Sequence, residues 1–324
     1  MTKLPILLIE AHSRCNCRCE MCDIWKSTRA DEFTLAQLES QLPSIEQLGT
    51  QWVIFTGGEP LMHSDLFALC KPLRARGIRV TILSTGLLFE RYAAQIAEHT
   101  DGAIVSLDGP PALHDSIRHT PGGFSQITRG TSAIYAIRPE YPISVRTVVQ
   151  GRNHDALIET AAAAGALRVR SISYLAADLT STAFNRSEPW PLVRQNEIAL
   201  AASHLPALDR QLQALKDNPI VADTPAHLDR ISQYFRAHLG LSQHTAPRCN
   251  APWVSALLKG TGTVQPCFFH SAIGTLSDSS LLRVFTGTAA SEFRDSLDVQ
   301  TNPVCRECVC SLYLKDPSAL LATS

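Results

Sequence analysis

The sequence lacks any strong imbalance of charge. It has 29 Lys and Arg residues against 30 Asp and Glu, a formal net charge of -1. A global basic field of the kind that draws proteins to nucleic acids or anionic membranes is therefore absent. Charged residues make up 18% of the chain and apolar residues 45%. This composition excludes a disordered chain and predicts neither a nucleic-acid nor a membrane partner.

Long hydrophobic runs are also missing. No stretch approaches the roughly 18 apolar residues that a membrane-spanning helix needs. The apolar start of the chain, residues 1–8, is too short for a secretory signal peptide. We therefore expect a cytoplasmic protein. Disulfides rarely persist in that compartment, so the ten cysteines indicate metal binding or catalysis.

The cysteines fall into two groups. Four crowd an N-terminal segment and five occupy the last quarter of the chain: Cys15, Cys17, Cys19 and Cys22, then Cys249, Cys267, Cys305, Cys308 and Cys310. Cys70 stands apart in the segment DLFALCKPL. It is spaced with three leucines as on the inner face of a helix, which predicts a small buried apolar residue.

Short apolar segments rich in β-branched residues alternate with amphipathic or Ala-rich segments. The apolar segments read PILLIEAH, WVIFTGG, RVTILSTG, GAIVSLDG, ISVRTVVQ and VRSISYLAA. This alternation predicts six strands, joined by helices, in a parallel α/β sheet covered on both faces. Six units are too few for a full eightfold barrel. Polar and glycine-rich groups follow several strands, at the sheet edge where such folds bind ligands.

The pattern divides the chain into three parts. We predict a core over residues 1–180, a helical linker or lid over 181–245, and a small cysteine-rich domain over 246–324. The strand and helix alternation ends after Asp178 in the polar stretch LTSTAFNRSEPWP. The clearest helix beyond it is TPAHLDRISQYFRAHLG, with Thr224 as its N-cap and Gly240 as its stop.

The N-terminal cysteines have the spacing Cys15-x3-Cys19-x2-Cys22, directly after the first strand. Three thiolates on one tight loop can bind three irons of a cubane cluster and leave the fourth iron without a protein ligand. The alternatives are a disulfide pair or a zinc site, for which His12 could supply a fourth ligand.

This spacing resembles the signature of the radical S-adenosylmethionine (SAM) superfamily, C-x3-C-x2-C in the loop after the first strand. The resemblance implies a partial (β/α)6 TIM-like barrel. It also implies a [4Fe-4S] cluster held by the catalytic residues Cys15, Cys19 and Cys22, with SAM chelating the remaining iron. Cys17 then lies between ligands without being one. Met21 stands where the family often has an aromatic residue against the adenine, and its thioether can take the same apolar role.

Motifs after the next strands extend the resemblance. The second strand ends in a GGEP motif, where the backbone and the carboxylate meet the methionine ammonium group in the family. The third and fourth strands end in residues that resemble the contacts to the methionyl group and the ribose. These predicted cofactor contacts are Gly57, Gly58, Glu59, Pro60, Ser84, Ser106 and Asp108.

Two further residues on the later strands are predicted to face the cofactor. Arg146 lies within the apolar fifth strand ISVRTVV. Because a buried guanidinium without a partner is very costly, we expect it to meet a cofactor carboxylate, or alternatively to pair with Asp108. Leu175 on the sixth strand is expected beside the adenine.

The C-terminal cysteines resemble the twitch domain, a shortened form of the SPASM domain. Cys249 and Cys267 flank a segment with Gly262 five residues before the second of them, and Cys305-x2-Cys308 follows. The resemblance implies a single auxiliary [4Fe-4S] cluster. Its predicted ligands are Cys249, Cys267, Cys305 and either Cys308 or Cys310. A structural zinc site with the same thiolates is the alternative.

The resemblance implies reductive cleavage of SAM to a 5'-deoxyadenosyl radical that abstracts a substrate hydrogen. A reduced flavodoxin or ferredoxin is the expected electron donor. An auxiliary cluster near the substrate favours a net oxidation, such as dehydrogenation or cross-linking, in a biosynthetic pathway. The chain begins on its first strand without a recognition module for a leader peptide, which favours a small molecule or an unaided peptide as substrate.

Two other interpretations stay open at this point. One is a redox-neutral epimerase, which needs a hydrogen donor such as Cys310 or Cys17. The other is a non-catalytic iron-sulfur or zinc protein. A simple electron carrier would not need a GGEP motif or a large barrel.

Overall fold

A computed structural model of the chain describes residues 3–277 and 279–316. The strands are β1 (Ile6–His12), β2 (Trp52–Gly57), β3 (Arg79–Ser84), β4 (Gly102–Ser106), β5 (Ile143–Val149), β6 (Ser171–Ala176), β7 (Ser255–Leu258), β8 (Thr263–Gln265) and β9 (Gly274–Thr275). The first six coincide with the six apolar segments of the sequence, so these predicted strands are confirmed.

Helices follow most of these strands. They are α1 (Leu35–Gln47), α2 (Leu66–Arg74), α3 (Ala93–His99), α4 (Pro111–Arg118), α5 (Gly123–Ile137), α6 (Leu157–Ala166), α7 (Leu192–Ile198), α8 (Leu205–Leu215), α9 (Pro225–His238), α10 (Ala251–Val254), α11 (Leu281–Thr286), α12 (Thr288–Ser296) and α13 (Pro303–Arg306). Of the helices that follow the first six strands, α4 was not anticipated from the sequence pattern. Nowhere in the described ranges does a helix have both the length and the apolar character needed to cross a bilayer.

The strands form one sheet in the order β6-β5-β4-β3-β2-β1-β7-β8-β9. Strands β1 to β6 are parallel to their neighbours, which gives the partial (β/α)6 barrel that the sequence predicts. Strand β7 then pairs in parallel with the other edge of β1, and β8 and β9 continue the sheet antiparallel. The C-terminal cysteine-rich part therefore shares its sheet with the barrel, and the domain boundaries stay a prediction.

The two faces of the sheet differ in burial. On β1, Leu7, Ile9 and Ala11 are fully buried in the apolar core, whereas Leu8 and Glu10 are partly exposed. The same period-2 alternation continues across the barrel. It defines a partly exposed lumen face made by Leu8, Glu10, Ile54, Ile104, Ser106, Arg146 and Ser173. A cofactor or substrate enclosed by the barrel would meet this face.

The local predictions outside the sheet are confirmed. Helix α9 has Thr224 as its N-cap, whose side chain accepts a hydrogen bond from His227 N, and Gly240 follows it with a φ of 73°. Cys70 is fully buried on α2, with its sulfur 3.4 Å from Leu66 O.

Candidate active site

The cysteine loop, residues 13–23, begins where β1 ends and is held on one side by the GGEP motif. Gly58 N donates to His12 O and Glu59 N donates to Arg14 O, both at 2.8 Å. A Cβ on Gly58 would lie 2.0 Å from Arg14 O, and one on Gly57 would lie 2.4 Å from His12 O. These two glycines therefore allow the end of β2 to approach closely the backbone that carries the cysteines.

Glu59 is a fully buried carboxylate at the end of β2. It accepts hydrogen bonds from Ser84 Oγ at 2.8 Å, Thr85 N at 2.7 Å and Leu61 N at 3.0 Å. Burial raises its pKa even though these donors oppose the shift. A cation bound here would stabilise the ionised form, which fits the predicted contact of Glu59 with an ammonium group. Pro60 begins the short 3-10 helix that follows.

Helix α4 holds the other side of the cysteine loop. Arg18 N and Glu20 N donate to Arg118 O and Ile117 O, each at 3.2 Å. His114 on the same helix accepts a hydrogen bond from Asp108 N at 3.2 Å. Burial, together with the charge of Arg118, lowers the pKa of His114 to about 4, so its ring is neutral.

The Asp108 carboxylate has protein partners for both oxygens. Oδ2 pairs with Arg118 Nε at 2.7 Å, and Oδ1 accepts a hydrogen bond from Val148 N at 2.8 Å. Asp108 is fully buried. This carboxylate therefore fixes Arg118 beside the cysteine loop, and its contact with the ribose stays a prediction.

The four N-terminal cysteines come together. Hydrogen bonds to Cys15 and Cys19, with burial, raise the pKa of Cys17, which is 1% exposed. The hydrogen bond from Cys17 and the charge of Arg118 lower the pKa of Cys19 against the opposing effect of burial. Cys22 Sγ accepts a hydrogen bond from Ile24 N at 3.4 Å. Cys17 is thus linked to Cys15 and Cys19, and its place outside the ligand set stays a prediction.

These surroundings fit an iron-sulfur cluster held by Cys15, Cys19 and Cys22. The buried guanidinium of Arg118 offsets the charge of thiolates, and backbone N–H groups can donate to sulfur. Within residues 3–277 and 279–316, no group of three or more His, Cys, Asp or Glu side chains is arranged so that it could hold a single metal ion. The fit rests on the donor set and its hydrogen bonds.

Two of the C-terminal cysteines also accept backbone hydrogen bonds at their sulfurs. Cys249 Sγ accepts a hydrogen bond from Ala251 N at 3.4 Å, and Cys267 Sγ accepts one from Phe269 N at 3.5 Å. Each donor lies two residues after its cysteine, as Ile24 does after Cys22. Cys308 differs, because its Sγ donates a hydrogen bond to Cys310 O at 3.4 Å.

Cys305 has a different partner, because His270 Nε2 lies 3.3 Å from its sulfur. The C-terminal set is also electrostatically connected, since Cys249 and Cys267 both raise the pKa of Cys305 after the larger effect of burial, to about 11. A half-buried thiol set with these donors fits the predicted auxiliary cluster.

Arg146 does not pair with Asp108, whose carboxylate is bound to Arg118. Its Nε donates to Ser173 Oγ at 2.8 Å, and strand register places Ser106, Arg146 and Ser173 in one row across the lumen face. The charge of Arg146 lowers the pKa of Cys310 against the larger effect of burial. Arg146 thus bonds to a neighbouring strand of the lumen face and acts electrostatically on one of the C-terminal cysteines.

The stretch expected to be a linker or lid packs directly on the cysteine loop. We call residues 178–194 the clasp. Arg186 forms a buried ion pair with Asp178 at 2.6 Å and stacks over the Trp190 ring at 3.6 Å. Trp190 Nε1 donates to Asp23 Oδ2 at 2.6 Å, and Asn185 Nδ2 donates to Asp23 O at 3.2 Å.

The two apolar residues predicted to contact the cofactor lie in different parts of the barrel. Met21 is buried within the cysteine loop, and its carbonyl oxygen accepts a hydrogen bond from Arg186. Leu175 is partly buried on β6. Sequence reasoning missed Arg118, Arg186 and His270. The spacing of His114 and Arg118, four residues apart after the SLDG strand end, was the available signal for Arg118.

The open parallel barrel, the anchored three-cysteine loop and the second cysteine set together define a radical SAM enzyme class. A family model described as the radical SAM superfamily matches residues 9–164, and one described as the SPASM iron-sulfur cluster-binding domain matches residues 249–309. The chain belongs to the radical SAM superfamily. Its two matched domains are those that bind a [4Fe-4S] cluster with SAM and auxiliary iron-sulfur clusters.

Curated relatives match only parts of the chain. The AdoMet-dependent heme synthase of Oleidesulfovibrio alaskensis is 31% identical over 140 residues, covering 42% of this chain and 36% of that protein. The pre-heme d1 synthase of Dinoroseobacter shibae is 30% identical over 166 residues, covering 49% and 40%. The GTP 3',8-cyclase of Peptoclostridium acidaminophilum is 30% identical over 172 residues, covering 48% and 50%. The chain thus spans half or less of the length of these relatives.

Solved structures share the fold along most of the chain. Native anSMEcpe with bound AdoMet superposes with a TM-score of 0.65 at 17% identity, covering 94% of this chain and 86% of that one. Streptococcus suis SuiB bound to precursor peptide SuiA gives 0.64 at 14% identity, covering 98% and 74%. At these identities the likeness concerns the fold.

Proposed function

We propose that the protein catalyses a net two-electron oxidation, such as dehydrogenation or cross-linking, of a peptide or small molecule. The observation that carries the proposal is the position of the C-terminal cysteines. The segment between Cys249 and Cys305 contributes strands β7 to β9 to the sheet of the barrel, and the charge of Arg146 on the lumen face acts on Cys310. An electron acceptor held by these cysteines would lie beside a substrate in the lumen.

When bound, the N-terminal cluster and SAM supply a 5'-deoxyadenosyl radical that removes a hydrogen atom from the substrate. The chain's own residues hold and shield that chemistry. Cys15, Cys19 and Cys22 would ligate the cluster, and the buried ion pair of Arg118 with Asp108 sets the loop that carries them. Burial of this loop beneath the clasp excludes water, which protects a reactive radical from side reactions.

The polar groups of the lumen would orient SAM and substrate. Glu59 is placed to accept an ammonium group, and Ser106 and Arg146 present a hydroxyl and a guanidinium in one register row. Ser84 supports this site indirectly, because its hydroxyl donates to the Glu59 carboxylate. Met21 and Leu175 provide apolar surface for an adenine ring.

For the auxiliary cluster we propose Cys249, Cys267, Cys305 and Cys308 as ligands. Cys249 and Cys267 accept a backbone hydrogen bond from the residue two positions further on, Cys305 contacts His270, and Cys308 completes the Cys305-x2-Cys308 pair of the sequence. No such backbone donor is described for Cys310. Cys310 is then a thiol between the cluster and the lumen.

A peptide substrate is supported by the shared fold with SuiB, which was solved bound to its precursor peptide SuiA. A small-molecule substrate is supported by the similarity to enzymes named for heme and GTP chemistry. A flavodoxin or ferredoxin is the proposed electron donor. Anaerobic reconstitution tests the core of the proposal: we expect about eight iron per chain, from two [4Fe-4S] clusters, and formation of 5'-deoxyadenosine on reduction. About four iron, or no SAM cleavage, would contradict it.

A redox-neutral epimerisation is the second candidate, because a Cys310 thiol beside the lumen could return a hydrogen atom to the substrate radical. Turnover in deuterated water separates the two functions. Exchange of the thiol with solvent would place deuterium on an epimerised product, whereas oxidation yields a product lighter by two hydrogens. Cys17 is a poor donor because it is buried among the loop cysteines.

A further inference from the structure

His270 is held firmly against one sulfur of the C-terminal set. Its Nε2 lies 3.3 Å from Cys305 Sγ, and the residue is 9% exposed. Its carbonyl oxygen accepts a hydrogen bond at 2.9 Å from Nε2 of Gln265, the last residue of β8. Its ring packs against Phe293 of α12, with ring centroids 5.0 Å apart. The position of the imidazole is thus set by the fold around it.

The direction of this hydrogen bond follows from the chemistry of a ligand sulfur. A cysteine bound to iron is a thiolate and has no proton to give. The imidazole must therefore be the donor, with its proton on Nε2. The contact is an N–H···S hydrogen bond to Cys305.

Arg230 on α9 adds positive charge to the same set. Its guanidinium contacts Cys308 O and acts electrostatically on Cys308 and Cys310. Its Nε is buried and has no hydrogen-bond partner among the described residues. A hydrogen bond to a ligand sulfur and a nearby cation both stabilise the reduced, more negative state of an iron-sulfur cluster.

We propose that His270 is a positioning residue that raises the reduction potential of the auxiliary cluster, so that the cluster accepts an electron from the substrate radical. The inference rests on the proposed oxidation. Abstraction of one hydrogen atom leaves a substrate radical, which gives one electron to the auxiliary cluster and one proton to solvent. Two electrons and two protons then leave the substrate in total. A flavodoxin or ferredoxin takes the stored electron away.

Redox titration of the reconstituted holoenzyme, followed by electron paramagnetic resonance, tests this role. The auxiliary signal is the one that SAM does not alter. In His270→Leu the reduction equilibrium of that signal should shift about tenfold towards the oxidised state, equivalent to about 59 mV for one electron. In His270→Gln an amide N–H replaces Nε2–H, so most of the wild-type potential should remain.

His244→Leu is the matched control, because His244 packs on Tyr234 with ring centroids 5.7 Å apart and has no described contact with a sulfur. Its auxiliary potential should equal that of the wild type. If the His270→Leu variant loses the auxiliary iron, the His270→Asn variant is measured in its place, since the shorter amide cannot reach Cys305.

The outcomes separate this inference from the function on which it rests. Two clusters with an unchanged auxiliary potential in the Leu or Asn variant would overturn the inference alone. An equal shift in the reduction potentials of both clusters would also overturn it. So would a Gln variant whose auxiliary potential equals that of the Leu variant. A wild-type protein with about four iron and a single SAM-sensitive signal would overturn the proposed oxidation and the inference together.

Discussion

The ion pair between Asp108 and Arg118 determines how the cysteine loop is held, and its removal gives a quantitative test. Asp108 is completely buried and the Arg118 side chain is 8% exposed, with Nε and Oδ2 2.7 Å apart. The substitution Arg118→Met removes the guanidinium and leaves a buried carboxylate with only Val148 N as a described partner. Breaking one partner of a buried pair costs about 3–5 kcal/mol.

This cost converts into a measurable change in Tm. An unfolding entropy of about 2.1 cal/mol/K per residue gives about 0.7 kcal/mol/K for a chain of 324 residues. The Tm of Arg118→Met should therefore fall by about 4–7 °C. Iron bound by the N-terminal cysteines should also decrease, because the carbonyl oxygens of α4 hold their loop. Anaerobic thermal melts by circular dichroism and iron analysis measure both effects.

A double variant distinguishes the loss of a partner from the loss of charge. Asp108→Asn with Arg118→Met leaves no buried charge and keeps an acceptor for Val148 N, so much of the lost stability should return. A single variant that loses less than about 1 kcal/mol, or a double variant less stable than the single one, would refute this account of the pair.

Three further tests probe the rest of the site. Gly58→Ala would press a Cβ into a carbonyl oxygen of the cysteine loop at 2.0 Å and should abolish binding of the N-terminal cluster, whereas Gly165→Ala, with only one side-chain atom at 3.8 Å, should leave iron content unchanged. Cys308→Ser should remove about four iron and Cys310→Ser none; the reverse result would exchange their roles. Trp190→Phe removes a buried hydrogen bond to the cysteine loop and should cost about 1–3 kcal/mol, seen as faster limited proteolysis of the clasp; unchanged proteolysis would contradict that role.

Features carried by local pattern could be predicted from the sequence. The six strands follow from runs of β-branched residues, and the ends of α9 follow from Thr224 and Gly240. The cysteine loop is recognisable because its ligands lie within a few residues of each other. Each of these signals is contained in a short window, so no tertiary information is needed to find it.

Features that depend on distant pairing could not be predicted. Arg118 resembles an exposed helical residue until Asp108 is placed against it. Arg146 bonds to a serine on the next strand and not to Asp108, a pairing that only the register of the sheet reveals, and its contact with a cofactor carboxylate stays a prediction. The clasp has the composition of a loop because its order comes from contacts with the cysteine loop about 160 residues earlier in the chain.

The position of β1 between β2 and β7 has a consequence for how the chain can be divided. Residues Ile6 to Ile9 are paired with neighbours on both sides, and one side is supplied entirely by the C-terminal part. Truncation before β7 would turn a central strand into an exposed edge, with unpaired backbone groups directly before the cysteine loop. Although the barrel precedes it in the chain, it depends on the C-terminal part for a protected edge, and we expect the two to unfold as one cooperative unit.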